Sequence, residues 1–521
     1  MEIVDNTVVK FTVPKHIVPY ITEHIEKSEV LEWRGDIAEM VVYWGLEEIS
    51  TLNQIVSFRE NIPSPMVRDY KWPGLYTPFK HQTTTAEFLS TRRRAFCFNE
   101  AGTGKTSSVI WAADYLMTHS DVKRVLIICP LSIMHSAWQA DVFNTAMHRS
   151  VAVAHGTADK REKIINGEYE FVIINYDGVA IVRDAIKNAN FDLVVIDEAN
   201  AYKNVSTTRW KTLAKVLQPS TRLWMLTGTP ASQSPIDAYG LARLVNPNNV
   251  PKFQNAWRDK VMNQLSRFKW VPKPTAKNEV FKALQPAIRF AKDECLDLPE
   301  VMYQTRDIPL TPQAARYYKA LKEHMLFEAA GEQVTAVNAA ANLNKLLQIS
   351  GGAIYTDTKE IIEFDVTPRF TALHEVIDET EHKVIIFVPY RHTIQMVAEY
   401  LDKHGISNSI INGDVSAADR ATIIRRFQTE KEPHILVIQP QSASHGVTLT
   451  AANVVVFWSP VMSVETYLQC IARIDRVGQK NKMTVVHLQG SDVERKMYKM
   501  LQGKVTLHNG LVDLYRDELE S

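Results

Sequence analysis

Short runs of apolar residues recur along the first half of the chain, and each run ends in a small or polar residue. They cover residues 125–130, 171–176, 193–198 and 223–230, and residues 95–98 form a further short apolar run. Continuous apolar runs of this length are typical of parallel strands that are buried on both faces. Helical patterns such as residues 107–117 lie between them. This alternation predicts a doubly wound α/β sheet.

The second half repeats the pattern. Its apolar runs cover residues 383–388, 409–411, 435–438, 454–458 and 484–488. A chain of 521 residues exceeds one ordinary core, so we expect two tandem doubly wound lobes. The irregular stretch between them, about residues 251–349, predicts connecting helices and a hinge, because prolines interrupt its helical pattern.

Residues 1–65 stand apart from both sets. Residues 8–13 alternate like a strand, residues 16–26 and 37–56 look helical, and Pro63 and Pro65 mark a boundary. We therefore predict a small N-terminal accessory α+β module. The full expected organisation is an accessory module at 1–65, a first lobe at 66–250, a helical connector at 251–300, a second lobe with a short helical insertion at 301–505, and a tail at 506–521.

Composition narrows the class of protein. Hydrophobic residues make up 45% of the chain and charged residues 23%, with a net charge of +0, so any nucleic acid must be held by a local basic cleft. The four cysteines form no C-x-x-C pair, which argues against a zinc site and suits a reducing compartment. With no apolar run near about 18 residues and no signal-like start, we expect a cytoplasmic protein without a membrane span.

Residues 99–106 read Asn-Glu-Ala-Gly-Thr-Gly-Lys-Thr and follow the first predicted strand. Gly102 and Gly104 allow tight turns that direct amides at phosphate oxygens, and the following helix adds its positive end. Lys105 suits the β- and γ-phosphates, and the Thr106 hydroxyl suits Mg²⁺. The pattern is incomplete, because Asn99 replaces its usual first glycine. A simple glycine turn before a helix is the alternative.

Asp197 and Glu198 end another predicted strand. An aspartate in that place can hold Mg²⁺, often through water, and the neighbouring glutamate can orient and deprotonate an attacking water. Two acids at a strand–loop junction are also common in proteins of any function. The upstream phosphate loop favours the catalytic interpretation.

Arg473 and Arg476 are spaced three residues apart, which predicts that they share one helical face. A planar guanidinium grips phosphate bidentately and keeps its charge, as an arginine finger requires. Taken alone the spacing says little, because helical arginines are usually solvated. The spacing becomes informative only together with the residues around the two arginines.

Those residues carry a family resemblance. Gln469, Arg473, Arg476, Gly478 and Gln479 fit Q-x-x-x-R-x-x-R-x-G-Q, the last motif of the SWI/SNF-like branch of superfamily-two helicases and translocases. Residues 226–230 match that family's L-T-G-T-P. Residues 76–82, 125–138, 284–299, 343–349 and 411–413 resemble further motifs in the family's order. The resemblance covers about residues 75–501.

Three departures qualify the resemblance. Asn200 replaces the histidine of D-E-A-H, Asp475 replaces the histidine common before the second arginine, and residues 443–446 read Ala-Ser-His-Gly where Gly-Gly-x-Gly is usual. They affect how hydrolysis is coupled to DNA rather than hydrolysis itself. Because the helical insertions are short, the chain looks like a compact bacterial or phage member.

The resemblance implies two RecA-like lobes that close on ATP and Mg²⁺. It assigns catalysis to Lys105, Asp197, Glu198, Arg473 and Arg476. Nucleotide contacts fall to Gln82, which would read adenine, and to Gly102, Thr103, Gly104, Lys105, Thr106 and Gln479, with the metal on Thr106 and Asp197. Coupling falls to Thr227, Thr229 and Gln469. The candidates for DNA phosphates are Ser132, Asn175, Asn412 and Thr448, although each equally suits a cap or turn.

These assignments predict a DNA-stimulated ATP hydrolase that moves on duplex or branched DNA as a monomer. Two alternatives stay open: a conventional strand-separating helicase, and a nucleotide-gated DNA-binding scaffold without motor activity. By analogy with annealing helicases of the same branch, residues 1–65 are a candidate DNA-structure recognition module.

Overall fold

The structure, a computed structural model, describes residues 1–56, 62–228, 230–231, 234–265, 270–295, 299–331, 336–356, 360–443, 447–476 and 478–503. The expected coupling residue Thr229, most of the departing motif at 443–446 and the tail at 506–521 lie outside these residues. Residues 1–231 and 235–295 form one compact unit, and residues 232–234 and 296–521 form a second. No helix among the described residues is both long and apolar enough to cross a bilayer.

A four-stranded antiparallel sheet with two helices opens the first unit. Its elements are β1 (Glu2–Val4), β2 (Val8–Pro14), α1 (Val18–His24), β3 (Ser28–Arg34), β4 (Ile37–Tyr43) and α2 (Leu46–Ile55), with strand order β1-β2-β4-β3. The predicted helix at 37–56 is wrong in its first half. Ala38, Met40 and Val42 are buried and their neighbours are more exposed, which is the period of a strand. The helix begins only at Leu46.

The first unit continues as a seven-stranded parallel sheet in the order β13-β5-β10-β9-β6-β8-β7. Its elements are α3 (Met66–Asp69), α4 (Lys80–Ser90), β5 (Arg94–Cys97), α5 (Lys105–His119), β6 (Val125–Cys129), α6 (Ala140–Thr145), β7 (Val151–Val153), α7 (Ala158–Ile165), β8 (Phe171–Asn175), α8 (Tyr176–Ile181), α9 (Arg183–Ala189), β9 (Leu193–Ile196), α10 (Thr208–Val216), β10 (Arg222–Leu226), α11 (Ala238–Val245), α12 (Gln254–Val261), β11 (Met262–Gln264), β12 (Trp270–Pro272), α13 (Ala276–Ala283), β13 (Ala287–Ile288) and α14 (Lys292–Cys295). Apolar clusters cover both faces of the sheet.

Five strands of this sheet coincide with the five apolar runs of the first half. Two short strands, β7 and β13, carry no such run. Strand β13 pairs with β5, which extends the first sheet into the stretch predicted to be a separate connector at 251–300. Residues 251–295 belong to the first unit.

The second unit holds a six-stranded parallel sheet in the order β14-β21-β20-β17-β19-β18. Its elements are β14 (Val301–Asp307), α15 (Pro312–Gly331), α16 (Ala336–Gly351), β15 (Ala353–Tyr355), β16 (Ile361–Glu363), α17 (Thr367–Asp378), β17 (Lys383–Phe387), α18 (Arg391–Lys403), β18 (Asn408–Ile411), α19 (Ala417–Thr429), β19 (Ile435–Ile438), α20 (Pro440–Ala443), β20 (Ala452–Phe457), α21 (Val464–Ile471), β21 (Met483–Gln489) and α22 (Asp492–Gln502). The predicted fold class, two doubly wound parallel sheets preceded by an α+β module, is confirmed.

A buried ion pair ties α17 to α22 inside the second unit. The Arg369 guanidinium donates to both carboxylate oxygens of Glu494, at 2.9 and 2.8 Å, and to the carbonyl of Trp458. The same carboxylate accepts the amides of Gly490 and Ser491 at 2.7 and 3.1 Å. Because both charges are buried, these contacts replace the solvation that each group loses.

Candidate nucleotide site

The loop between β5 and α5 has the backbone geometry of a phosphate-binding turn. Gly102 and Gly104 have φ values of +88° and +76°, which glycine adopts without strain. Gly104 is the N-cap of α5, and a Cβ atom there would lie 2.1 Å from Nε2 of Gln82. The positive φ of Gly104 favours glycine there, and the positive end of a fifteen-residue helix follows it.

Lys105 opens α5 and turns back over the loop. Its Nζ donates to the carbonyls of Asn99 at 2.7 Å and Glu100 at 3.1 Å. The ammonium therefore lies over the loop, and its contact with a phosphate stays a prediction. Thr106 follows in the first turn of α5 and is half-buried.

Asn99, the departure from the phosphate-loop pattern, has a structural explanation. Its side chain is buried, its Nδ2 donates to Oγ1 of Thr85 at 2.8 Å, and its Oδ1 accepts the amide of Phe290 at 3.0 Å. The residue therefore joins the base of the loop to α4 and to the segment that follows β13. A glycine in this place would lose both side-chain bonds.

Gln82 lies against the same loop. Its Oε1 accepts the amide of Phe79 at 2.9 Å, and its Nε2 lies 3.4 Å from the carbonyls of Thr103 and Gly104. His81 reaches the carbonyl of Thr103 through Nε2 at 2.8 Å. Helix α4 thereby fixes the loop from one side. Adenine recognition by Gln82 stays a prediction.

Asp197 directly follows β9, and its carboxylate accepts hydrogen bonds from a side chain and from the backbone. The indole Nε1 of Trp138 donates to Oδ2 at 2.9 Å, and the amide of Glu198 donates to Oδ1 at 2.9 Å. Trp138 belongs to a π-helical turn, Met134–Gln139, and π-helical turns are frequent at functional sites. The sequence presented Trp138 only as part of a motif, without this contact.

Glu198 has a left-handed backbone, with φ +47° and ψ +56°. This conformation is strained for a residue other than glycine and is concentrated at functional sites. The Tyr176 hydroxyl donates to the carbonyl of Asp197 at 2.6 Å and lies 3.3 Å from that of Glu198. Burial, and then the charges of Asp197 and Glu198, raise the pKa of Tyr176 well above its ordinary value, so the hydroxyl keeps its proton and remains a donor.

Thr227 and Gly228 bring the third motif to the same place. Thr227 is buried, and its amide donates to the carbonyl of Cys97 at 3.1 Å. A Cβ on Gly228 would lie 3.4 Å from the amide nitrogen of Ala101 in the phosphate loop. Since β5, β10 and β9 are adjacent and parallel, the loop, Thr227 and the acidic pair meet at one carboxyl edge of the sheet.

This edge offers hard oxygen donors of the kind that Mg²⁺ prefers. Asp197 supplies a carboxylate and Thr106 a hydroxyl, and Mg²⁺ in phosphate sites commonly takes one or two protein ligands and completes its shell with water and phosphate. The described residues contain no group of three or more His, Cys, Asp or Glu side chains that would cage a metal alone. The residues present therefore fit a metal that arrives with a nucleotide.

The two arginines of the second unit do not share a helical face. Helix α21 ends at Ile471, and residues 472–476 form tight turns. The carbonyl of Arg473 accepts the amide of Leu449 at 2.9 Å, where a continuing helix would bond its own backbone. The guanidinium groups still converge, because each donates to the carbonyl of Val447 at 3.2 Å. The prediction of a shared helical face is therefore wrong, although the two guanidinium groups share one acceptor.

The two glutamines of this motif are occupied by backbone and helix contacts. The carbonyl of Gln469 accepts Nε of Arg473 at 2.8 Å, and its Nε2 lies 3.4 Å from Glu465. Gln479 is buried, donates to the carbonyl of Ala452 at 2.8 Å, and accepts the amides of Lys480 and Asn481 at 3.1 Å. Gln479 therefore stabilises a turn, and its nucleotide contact stays a prediction.

The four candidates for DNA contact lie at or after strand ends. Ser132 is in the 3₁₀ turn after β6, and Thr448 is half-buried before β20. The Oδ1 of Asn175 accepts Nη1 of Arg161 at 2.9 Å, and that of Asn412 accepts the amide of Asp414 at 3.0 Å. Asn412 thus has the turn-forming contact of the alternative interpretation, whereas the Asn175 side chain bonds an arginine of α7 and makes no cap bond to α8. DNA contact stays a prediction for all four.

Comparison with known proteins gives a family. The model of the SNF2-related domain matches residues 81–352, and that of the helicase conserved C-terminal domain matches residues 368–478. The putative protein p41 of Acyrthosiphon pisum secondary endosymbiont phage 1 is 24% identical over 447 residues, which are 80% of this chain and 94% of the phage protein. Chromodomain-helicase-DNA-binding protein 1-like of Mus musculus is 25% identical over 436 residues, and the match spans 47% of its length.

A solved structure is also similar to this chain. It is the Sulfolobus solfataricus SWI2/SNF2 ATPase core in complex with dsDNA, at 21% identity and a TM-score of 0.41, and the match covers 86% of this chain and 95% of that one.

Proposed function

The chain belongs to the SNF2-related family of helicase-type ATPases, and from that premise we propose that it is a translocase that uses ATP hydrolysis to move on duplex or branched DNA. One observation assigns the proposed hydrolysis to particular residues. The phosphate loop, Thr227 and the Asp197–Glu198 pair lie together at the carboxyl edge of β5, β10 and β9. A phosphate-binding turn beside two carboxylates is the arrangement that phosphoryl transfer to water requires.

In this proposal the first unit binds ATP. Amides of residues 102–104 and the positive end of α5 face the phosphates, and Lys105 leaves its carbonyl partners to neutralise the terminal phosphate. Thr106 and Asp197 would hold Mg²⁺, which neutralises charge on the phosphates. Glu198 orients the attacking water and accepts its proton.

The second unit supplies the arginines. Arg473 and Arg476 stabilise negative charge on the phosphoryl group in the transition state, as arginine fingers do. Because these arginines come from a separate unit, hydrolysis depends on how the two units associate, and this dependence couples ATP hydrolysis to movement on DNA. Thr227, together with Thr229 and Gln469, is our candidate for that coupling.

DNA binds by its phosphates in this proposal, with Ser132, Asn175, Asn412 and Thr448 as candidate contacts. Such contacts are independent of sequence and weaken as salt is raised. We expect a monomer that acts in the cytoplasm of a bacterial or phage-infected cell.

Two assays test this proposal. The first measures the rate of ATP hydrolysis without nucleic acid and with duplex DNA, forked DNA, single-stranded DNA or RNA. The second measures displacement of the third strand from a DNA triplex. Duplex or fork stimulation together with ATP-dependent triplex displacement supports a translocase. Stimulation by single strands with duplex unwinding supports the strand-separating alternative. Absence of stimulated hydrolysis with every nucleic acid leaves only the scaffold alternative.

A further inference from the structure

The N-terminal sheet presents an edge strand. Strand β3 lies at the end of the order β1-β2-β4-β3, and among the described residues it pairs with β4 alone. The register shifts between Val30 and Glu32, which leaves Leu31 in an irregular position. The outer backbone groups of such a strand are a template for another extended chain.

Large apolar side chains surround this edge without being covered by the core of their own unit. Leu31, Trp33 and Ile37 are 49%, 51% and 49% exposed, and Tyr20 on α1 is 58% exposed. Trp33 pairs with Ala38 across the strands and Arg34 pairs with Ile37, so Trp33 and Ile37 lie at the same hairpin end but on opposite faces of the sheet. Leu31 and Trp33 are the exposed apolar side chains of β3 itself, and exposed apolar side chains close together mark an interaction surface more often than isolated ones do.

The charge of residues 1–56 indicates which kind of partner the β3 edge would bind. Residues 1–56 contain ten Asp and Glu but only four Lys and Arg. Three of these cations are already paired, Lys10 with Glu39, Lys27 with Glu48 and Arg34 with Glu32, and Lys15 lies 5.5 Å from the centre of the Trp33 ring.

Three carboxylates near the β3 edge are accessible to a basic ligand. Glu26, Glu29 and Asp36 are exposed, and within the described part of the chain they form no ion pair. A surface of this sign repels nucleic-acid phosphates and attracts lysine and arginine. The charge therefore disfavours DNA as the ligand of this module.

We propose that β3 binds an extended, lysine- or arginine-bearing segment of a partner protein by strand addition. The backbone of the segment pairs with the outer groups of β3, its basic side chains face Glu29 and Asp36, and its apolar side chains pack on Leu31 and Trp33. The module is then a docking element for another protein, which is separate from the ATP site and independent of the proposed motor activity.

The experiment uses the full chain and a short fluorescent peptide in which lysine alternates with valine. Fluorescence anisotropy reports its binding, and hydrogen exchange locates it. We expect saturable binding with slower exchange of the β3 amides. A peptide with glutamate in place of lysine, and a lysine peptide with a central proline, should each bind at least roughly tenfold more weakly, because one loses the charge complementarity and the other a backbone donor.

Variants of the chain locate the surface. Trp33→Ala, and separately the pair Glu29→Lys with Asp36→Lys, should weaken peptide binding at least roughly tenfold. Glu162→Lys together with Glu168→Lys, at two exposed positions in and after α7, is the matched double charge reversal and should leave binding unchanged. Thermal unfolding of each variant checks that the module remains folded.

Three results would overturn the proposal. The first is absent binding of the lysine peptide, or equal binding of the proline peptide. The second is a Trp33-dependent dimer of the chain in sedimentation, which would make a second copy the occupant of the edge. The third is loss of forked-DNA binding in Trp33→Ala with unchanged peptide binding, which would restore the DNA-recognition interpretation.

Discussion

Replacing Trp138 by phenylalanine removes one donor from Asp197 and keeps an aromatic ring in the core. The indole of Trp138 is buried, and its bond of 2.9 Å to Oδ2 orients the Asp197 carboxylate together with the amide of Glu198. A hydrogen bond to a charged group contributes about 1.5–3 kcal/mol. If that energy orients the Mg²⁺ ligand, kcat/KM for ATP should fall roughly 10- to 100-fold, since about 1.4 kcal/mol is a factor of ten.

Trp224→Phe is the matched control. Trp224 is also buried, belongs to the same apolar cluster, and donates through Nε1 to the carbonyl of Arg92 at 3.0 Å, away from the acidic pair. Both variants lose an indole nitrogen and some packing, so both should lower the free energy of unfolding. Only Trp138→Phe should change the chemistry.

Steady-state ATP hydrolysis is measured while Mg²⁺ is titrated, and urea unfolding of both variants is followed by circular dichroism. We expect Trp138→Phe to require more Mg²⁺ for half-maximal hydrolysis, whereas Trp224→Phe should keep the Mg²⁺ dependence of the unaltered chain. Equal hydrolysis and equal Mg²⁺ dependence in the two variants would refute the positioning role of Trp138.

Three further results are expected. Glu198→Gln should bind a fluorescent ATP analogue normally and hydrolyse ATP roughly 10²- to 10⁴-fold more slowly, and unchanged turnover would remove Glu198 as the base. Glu494→Gln should lower the free energy of unfolding of the second unit by about 3–5 kcal/mol in urea titrations, because it leaves the buried Arg369 guanidinium without its counter-charge; a loss below about 1 kcal/mol, the range of surface pairs, would contradict that reasoning. Burial lowers the pKa of His487 to about 4 from an ordinary value of 6.5. As the pH falls, the unfolded chain therefore binds this proton before the folded chain does, so the contribution of His487 to the free energy of unfolding is present above about pH 6.5 and is lost below it. Between pH 7 and pH 5 the free energy of unfolding should fall by about 2 kcal/mol. His487→Gln should make the free energy of unfolding less dependent on pH, and an unchanged dependence would assign it to other groups.

The strands were the part of the fold most open to prediction. Buried parallel strands are continuously apolar, so the runs at 125–130 and 193–198 identified β6 and β9 without any knowledge of their neighbours. Strand β13 has only two residues, Ala287–Ile288, and is set by its pairing with β5, which no local pattern records. Residues 37–43 alternate with the period of a strand, but their continuation into a real helix at Leu46 concealed the change.

The site shows the same division between local and long-range information. Positions that need a special backbone or a charge, such as Gly104 and Lys105, are legible in sequence because few other residues serve. Asn99 appeared as a defect, because its partners Thr85 and Phe290 are distant in the chain. The turn at Arg473 is not predictable from local sequence for a similar reason, because the amide that binds the Arg473 carbonyl comes from Leu449, which is distant in the chain.

We propose above that arginines of the second unit complete the ATP site of the first. The most direct test of this proposal is single-turnover hydrolysis of bound ATP, with duplex DNA present, by Arg473→Ala. Arg495→Ala, an exposed arginine of the same unit, is the control. We expect normal ATP binding, with hydrolysis slowed roughly a thousandfold or more in Arg473→Ala and unchanged in the control. Hydrolysis by Arg473→Ala at the rate of the unaltered chain would contradict the proposal.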